Sequence, residues 1–247
     1  MLLLASAGIV SGTLSRIARA DSLALKINYY DTFVPYSFLH ESQVRGVFVD
    51  IVNEVLGRRG GLSLTHQAMP WARAQQEVKD NLADAFCTLE SDARREYVDF
   101  SREPFLKMDN SVVFAKNHPQ AERIKKIKTS DDLKQFLIGT YLGDSRIETL
   151  FKGMKVDAQA VDMKQVLQKI AAGRTDVTII GNIRWKYYAR EAGVRDKLDD
   201  IPFDNVEYRF GVRKSHPAVG KILNLFDKTI VAIKKDGTLE RIINAYG

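Results

Sequence analysis

Residues 69–105 place a tryptophan, an arginine and two hydroxyl side chains at spacings that allow small-ligand recognition. Trp71 heads an apolar repeat through Ala74, Val78 and Leu82, which is the periodicity of a helix. Residues 83–88 then form a short apolar run with the character of a buried strand, ending at Thr88. A polar turn follows, Ser91-Asp92-Ala93-Arg94, and after it Tyr97-Val98-Asp99-Phe100-Ser101. A helix start carrying an aromatic ring and a strand delivering an arginine-bearing turn can share one cleft. An aromatic face and a fixed guanidinium there suit a small solute with a flat or apolar part and a carboxylate.

Other chemistry is not announced. His40, His66, His118 and His216 lie far apart, none in an H-E-x-x-H or a Cys/His cluster, so no metal ligation is expected. There is no G-x-S-x-G, no P-loop and no strand-linked G-x-G-x-x-G, so neither a catalytic residue nor a cofactor is assigned. The single cysteine, Cys87, has no disulfide partner in the chain and reads as a buried strand thiol close to the presumed cleft.

The elements that must position these residues alternate between strands and helices. Leu23, Leu25, Ile27 and Tyr29 alternate as in a strand packed on one face, and residues 31–38 form a loop pinned by Pro35. Val49, Val52, Val55 and Leu56 make a helical stripe closed by Gly57 and Gly60-Gly61. A strand at 62–64 leads into the central stretch, and another at 111–116 is broken by His118-Pro119. Ser130 is the expected N-cap of a helix. The run 136–141 leads through Gly143-Asp144-Ser145 into a further expected helix, whose free N–H groups would seat a carboxylate. Asp144 or Ser145 capping that helix is the alternative. Met163, Val166, Leu167, Ile170 and Ala171 form another stripe, residues 176–181 a buried strand, and Asn182 opens the next helix. A last strand at 208–214 precedes the stripe Leu223, Phe226, Ile230 and Ile233. Such alternation predicts α/β domains with largely parallel sheets.

Pro70-Trp71-Ala72-Arg73-Ala74, Ala83-Asp84-Ala85, the Ser-x-x-Arg turn, Val98-Asp99-Phe100-Ser101 and the terminal Asp236-Gly237-Thr238-Leu239-x-x-Ile242 occur in one order. In that order they resemble the extracellular solute-binding proteins, family 3, the periplasmic components of polar amino-acid ABC transporters. The resemblance implies a two-lobed, type II periplasmic-binding-protein fold with a hinged cleft. Lobe one would comprise residues 21–113 and 211–247, and lobe two residues 114–210. It implies a monomer that captures a small solute and delivers it to a permease in the inner membrane, without performing chemistry. It also places ligand contacts. Arg94, with Arg95 as the alternative, would pair with a carboxylate, Ser91 standing in the same turn; Trp71 would form an aromatic shelf or pack in the core, and Thr88 would hydrogen-bond the ligand. Tyr30 and Phe33 are contacts or core residues, and Arg73 is a second anion contact or a salt-bridge partner. The family pairs the ligand ammonium with an aspartate after the lobe-two strand. Here that region reads Ile180-Gly181-Asn182, which brings no charge. Either Asp144 serves an amine, or the solute is not a standard α-amino acid. Two alternatives share the fold or the ligand chemistry. One is a cyclohexadienyl dehydratase-like enzyme using Glu90 or Asp144 as its acid–base group. The other is a sensing module that docks on a membrane receptor.

Composition agrees with export and capture. Of 247 residues, 45% are hydrophobic, enough for a substantial core. Residues 1–20 read as a signal peptide with Ala18-Arg19-Ala20 before the cleavage point, which places the mature protein in the periplasm. Loss of Arg16 and Arg19 takes the net charge from +6 to +4. The basic residues are interspersed with acids, and the Lys125-Lys126-Ile127-Lys128 cluster is short, so no nucleic-acid partner is expected.

Overall fold

A computed structural model describes residues 23–246, except the side chains of Ser145 and Glu148. The expected signal peptide at 1–20 lies outside the described residues.

The alternating apolar residues Leu25, Ile27 and Tyr29 are buried in strand β1 (Ala24–Tyr30). A small antiparallel sheet follows, β2 (Thr32–Phe33), β3 (Ser37–His40) and β4 (Gln43–Arg45). The expected loop around Pro35 is therefore folded into a hairpin. Helix α1 (Val47–Val52) runs into a π-helical turn, Asn53–Arg58, that carries its apolar stripe through Gly57. Strand β5 (Ser63–Met69), helix α2 (Trp71–Lys79), strand β6 (Ala85–Leu89), the single turn α3 (Asp92–Arg95) and strand β7 (Val98–Phe100) complete this region. Helix α2 stops before Leu82, which is 63% exposed and does not join the predicted stripe.

Strand β8 (Leu106–Ala115) carries the chain across the molecule. Beyond it lie two single-turn helices, α4 (Ala121–Ile124) and α5 (Ser130–Leu133). The N-cap of α5 is Thr129, which forms a reciprocal capping box with Asp132, rather than the expected Ser130. Strand β9 (Ile138–Tyr141) leads only to a 3-10 turn, Ser145–Glu148, where a longer helix was expected. Strand β10 (Val156–Ala160), helix α6 (Met163–Ala171), strand β11 (Val177–Gly181) and helix α7 (Asn182–Glu191) follow. Strand β12 (Leu198–Arg213) returns across the molecule and is far longer than its apolar end predicts. Helices α8 (Val219–Lys235) and α9 (Thr238–Asn244) close the described chain.

The main sheet has the order β10-β9-β11-β8-β12-β6-β1-β5, with β7 also on β12. Both ends are parallel: β1 pairs with β5 and β6, and β9 pairs with β10 and β11. The middle is antiparallel, because β8 and β12 run against each other and against their outer neighbours. Apolar side chains collect on either side of that seam. One core joins β1, α1, the π-turn and α8 through Leu25, Ile27, Val52, Leu56, Phe226 and Ile230. The others pack β9, β11, α6 and α7 through Phe136, Ile138, Val166, Ile170 and Trp185. Cores on either side of two long strands form two lobes.

Candidate functional site

Strands β1 and β6 are parallel neighbours, so their C-terminal ends open on the same edge, where α/β sheets place ligands. A cavity of about 220 Å³ lies there. Tyr30 comes from the end of β1, while Phe33 and Ser37 come from the hairpin after it. Trp71 enters from the first position of α2, and Cys87, Thr88 and Leu89 from the end of β6. Arg94 in α3, Phe48 in α1 and Tyr208 in β12 close it. Apart from Arg94 and the hydroxyls of Ser37, Thr88 and the tyrosines, the wall is apolar.

The wall is held by ring packing. Phe33 stacks at 6.2 Å from Tyr30 and lies 4.7 Å from Tyr36, which is fully buried behind it. Phe48 and Tyr208 are 4.9 Å apart. Such pairs add about 0.5–1.5 kcal/mol each beyond the area they bury, so the surface is rigid. Burial pushes the Tyr208 phenol up to about 12 against the opposing pull of Arg184, so it is neutral and able to donate. Burial likewise raises the Cys87 thiol, leaving it protonated and unreactive.

Arg94 is fixed but not neutralised. Its Nε donates to Gln75 Oε1 and its Nη1 to the Leu89 carbonyl, both at 2.9 Å. Its guanidinium lies 5.6 Å from the centre of the Trp71 ring. Among the described residues it forms no ion pair and its Nη2 makes no hydrogen bond, so a cation faces an apolar cavity with donors free. The arrangement can bind an anion end-on while an aromatic or apolar body rests against the rings.

Of the residues singled out in the sequence, the fold gathers Arg94, Trp71, Tyr30, Phe33 and Thr88 around this cavity. The others are elsewhere. Arg73 is 71% exposed and pairs with Glu77 one helical turn away, at 3.1 Å. Ser91 is the N-cap of α3, with its carbonyl accepting from Arg94 N and Arg95 N. Gly143 sits in an exposed turn at φ 80°, a conformation that favours glycine. Asp144 caps the 3-10 turn through Arg146 N and is bound by the Arg146 side chain and by the Thr140 hydroxyl. Burial opposes its ionisation, but these hydrogen bonds outweigh that and hold the carboxyl below its usual range. With Arg146 N already taken, this turn offers no carboxylate seat of the kind expected. Asn182 turns its carbonyl oxygen onto Ile183 N at 2.7 Å. The side chain of Ser145 lies outside the described residues.

Sequence reasoning missed Ser37, Phe48, Leu89 and Tyr208 as wall residues. Leu89 could have been reached by extending the apolar run past Thr88. Tyr208 comes from a distant strand and enters through sheet register, and Phe48 comes from α1 and enters by packing against Tyr208, neither of which leaves a local mark. Wider surface grooves exist, and in the one beside the cavity strands Glu90 is paired. That groove, of about 620 Å³, is lined by Glu90, Arg95, Arg209 and Asp227. There Glu90 lies 3.0 Å from Arg95 and 3.7 Å from Arg209. Among the described residues no group of acidic, histidine and cysteine side chains could hold a metal ion, and no helix is long and apolar enough to cross a membrane.

The fold is shared with solved solute-binding proteins. The L-cystine solute receptor of Neisseria gonorrhoeae, in its unliganded open conformation, superposes with a TM-score of 0.71 at 18% identity, over 92% of this chain and 93% of that one. Substrate binding domain 2 of Lactococcus lactis GlnP gives 0.69 at 19% identity, over 92% and 96%. An ancestral cationic amino acid solute binding protein gives 0.69 at 19% identity, over 90% and 95%. At these identities the likeness shows the architecture alone, a two-lobed periplasmic-binding-protein fold. A comparison with curated protein sequences finds no match. The model of one sequence family, by contrast, matches residues 25–247, nearly the whole chain, and the protein therefore belongs to the bacterial extracellular solute-binding proteins, family 3.

Proposed function

We propose that the protein is the periplasmic receptor of an ABC transporter, capturing a carboxylate-bearing solute between its lobes and delivering it to the permease without altering it. The observation that carries this is Arg94. A guanidinium held by a neutral amide and a main-chain carbonyl, over a tryptophan and at the mouth of an aromatic cavity, has the fixed geometry and free charge that carboxylate capture needs. Trp71, Tyr30, Phe33 and Thr88 are then solute contacts. The lobes are residues 21–113 with 211–247 and residues 114–210, and the crossover strands β8 and β12 act as the hinge. The acids an enzyme would use are committed to ion pairs, Glu90 with Arg95 and Arg209, and Asp144 with Arg146. Neither lines the cavity.

The test is a thermal-shift screen of the mature protein against amino acids, small carboxylates, polyamines and sugars, repeated with Arg94→Ala. A solute at one hundred times its dissociation constant adds about 2.7 kcal/mol to stability. A carboxylate that shifts the wild type and not the variant supports the reading. Hits confined to compounds without a carboxylate overturn the anchor, and conversion of prephenate or arogenate would overturn the absence of chemistry.

A further inference from the structure

The charges around the cavity, taken with the binding role proposed above, limit what the solute carries. One cation lines the wall and no carboxylate does. Of the acids that might serve an amine, Asp144 and Glu77 are occupied elsewhere. Asp144 is locked to Arg146, with Arg146 Nη2 2.5 Å from its carboxylate. Glu77 accepts from Asn28 at 3.0 Å and from Arg73 at 3.1 Å. Asn182 spends its acceptor on the backbone of its own helix.

A second cation stands behind the same wall. Arg184, in the first turn of α7, places its guanidinium 5.7 Å from the centre of the Phe33 ring, and Phe33 lines the cavity. Its Nε is buried and has no hydrogen-bond partner among the described residues. An ammonium entering here would lose its hydration, would find the Trp71 and Phe33 rings already facing Arg94 and Arg184, and would meet the fields of those two arginines with no carboxylate on the wall to offset them. A carboxylate is desolvated too, but it gains the charge and the free donor of Arg94 in return.

We propose that the solute is an aromatic or apolar carboxylate without an ammonium group, its carboxylate on Arg94 and its body against Trp71, Phe33 and Tyr208. Asp31, next to Tyr30, is the residue that would betray the opposite. It lies outside the cavity lining and forms no ion pair among the described residues, so it is the acid an ammonium would recruit.

Matched ligands that differ only in the ammonium decide the matter on the wild type alone. Calorimetric titration would compare 3-phenylpropanoate with phenylalanine and indole-3-propionate with tryptophan, with 3-phenylpropanamide as the uncharged control. Each desamino acid is expected to bind at least tenfold more tightly than its amino acid, with no binding by the amide. Arg94→Gln should lose the desamino acids, whereas Asp31→Asn should bind them as the wild type does. An amino acid that binds more tightly than its desamino partner, with that preference lost in Asp31→Asn, overturns the inference and leaves the receptor role standing. So does silence toward both pairs when another compound of the wider screen binds. Silence toward every compound by a protein with a cooperative melting transition overturns both.

Discussion

Each lobe carries an arginine in the turn after a parallel strand, and the two are built alike except for one partner. Arg94 follows β6 and Arg146 follows β9. Each sends Nη1 to a main-chain carbonyl, Leu89 in one case and Ile179 in the other. Each lies over an aromatic ring, Trp71 at 5.6 Å and Phe151 at 5.3 Å. The difference is the group on Nε. Arg146 meets the Asp144 carboxylate, and Arg94 meets the neutral amide of Gln75. An amide fixes a guanidinium without discharging it. The paired arginine is finished as structure, and its ring, Phe151, is core. The amide-held arginine keeps a charge to spend, and its ring, Trp71, lines the cavity.

The comparison breaks first at Arg94. Arg94→Ala should weaken solute binding by about 10- to 150-fold, since a charge-assisted hydrogen bond contributes about 1.5–3 kcal/mol, while the ligand-free urea midpoint barely moves. A large loss of stability with little loss of affinity would make Arg94 structural like its counterpart. Arg146→Ala should do the reverse. It strands an almost fully buried carboxylate, and with Arg146 one-third exposed the expected cost is about 2–3 kcal/mol by urea unfolding. Gln75→Glu converts the first arrangement into the second. It should lower affinity about tenfold, or about 1.4 kcal/mol, with unfolding stability unchanged or slightly raised. Unchanged affinity would show that discharge of Arg94 is not what matters.

That contrast also separates what the chain announces from what it hides. Trp71, Thr88 and Arg94 were legible because one helix, one strand and one turn, contiguous in sequence, put them on a common edge. Asp144 was legible only in part: that it caps the following turn was one of two expectations and holds, but its pairing with Arg146 was not, although both its partners are local. Arg146 two residues on and Thr140 four residues back decide its orientation, and no residue pattern says whether a carboxylate turns in or out. Tyr208 reaches the wall only through sheet register, and Phe48 only through the packing of α1 against that tyrosine. The stretch 198–207 of β12 hid itself more thoroughly, since its side chains are mostly half-buried or exposed and it carries Pro202, yet it pairs along β8. Strand pairing there rests on main-chain groups, which composition does not report.

Acid titration sharpens the role of Asp144. Its folded-state carboxyl lies below the ordinary value of 3.8, so its contribution is fully present above that value and is lost as pH falls through the lower folded one. The stability gap between wild type and Asp144→Asn should be constant from pH 7 to about 5 and close progressively below pH 4, as read by urea unfolding at each pH. A gap that persists undiminished at pH 2 would assign the loss to packing and hydrogen-bond geometry rather than to charge.

The smallest effect belongs to Arg73, which the sequence offers as an anion contact or a salt-bridge partner and the fold turns toward solvent and pairs with Glu77. Its pair with Glu77 spans one helical turn at 71% exposure of the arginine, so salt and side-chain entropy leave it worth about 0.3–0.5 kcal/mol. Glu77 does not depend on it. The hydrogen bond from Asn28 is the largest influence holding that carboxyl below its usual range, and it survives the loss of Arg73. Arg73→Ala should therefore leave the urea midpoint and the solute affinity both within about twofold of wild type in equilibrium terms. A tenfold loss of affinity at unchanged stability would mean that lobe closure swings Arg73 onto the solute. The site would then hold a second anion contact on the Arg94 side, and a dianionic solute would replace the single carboxylate.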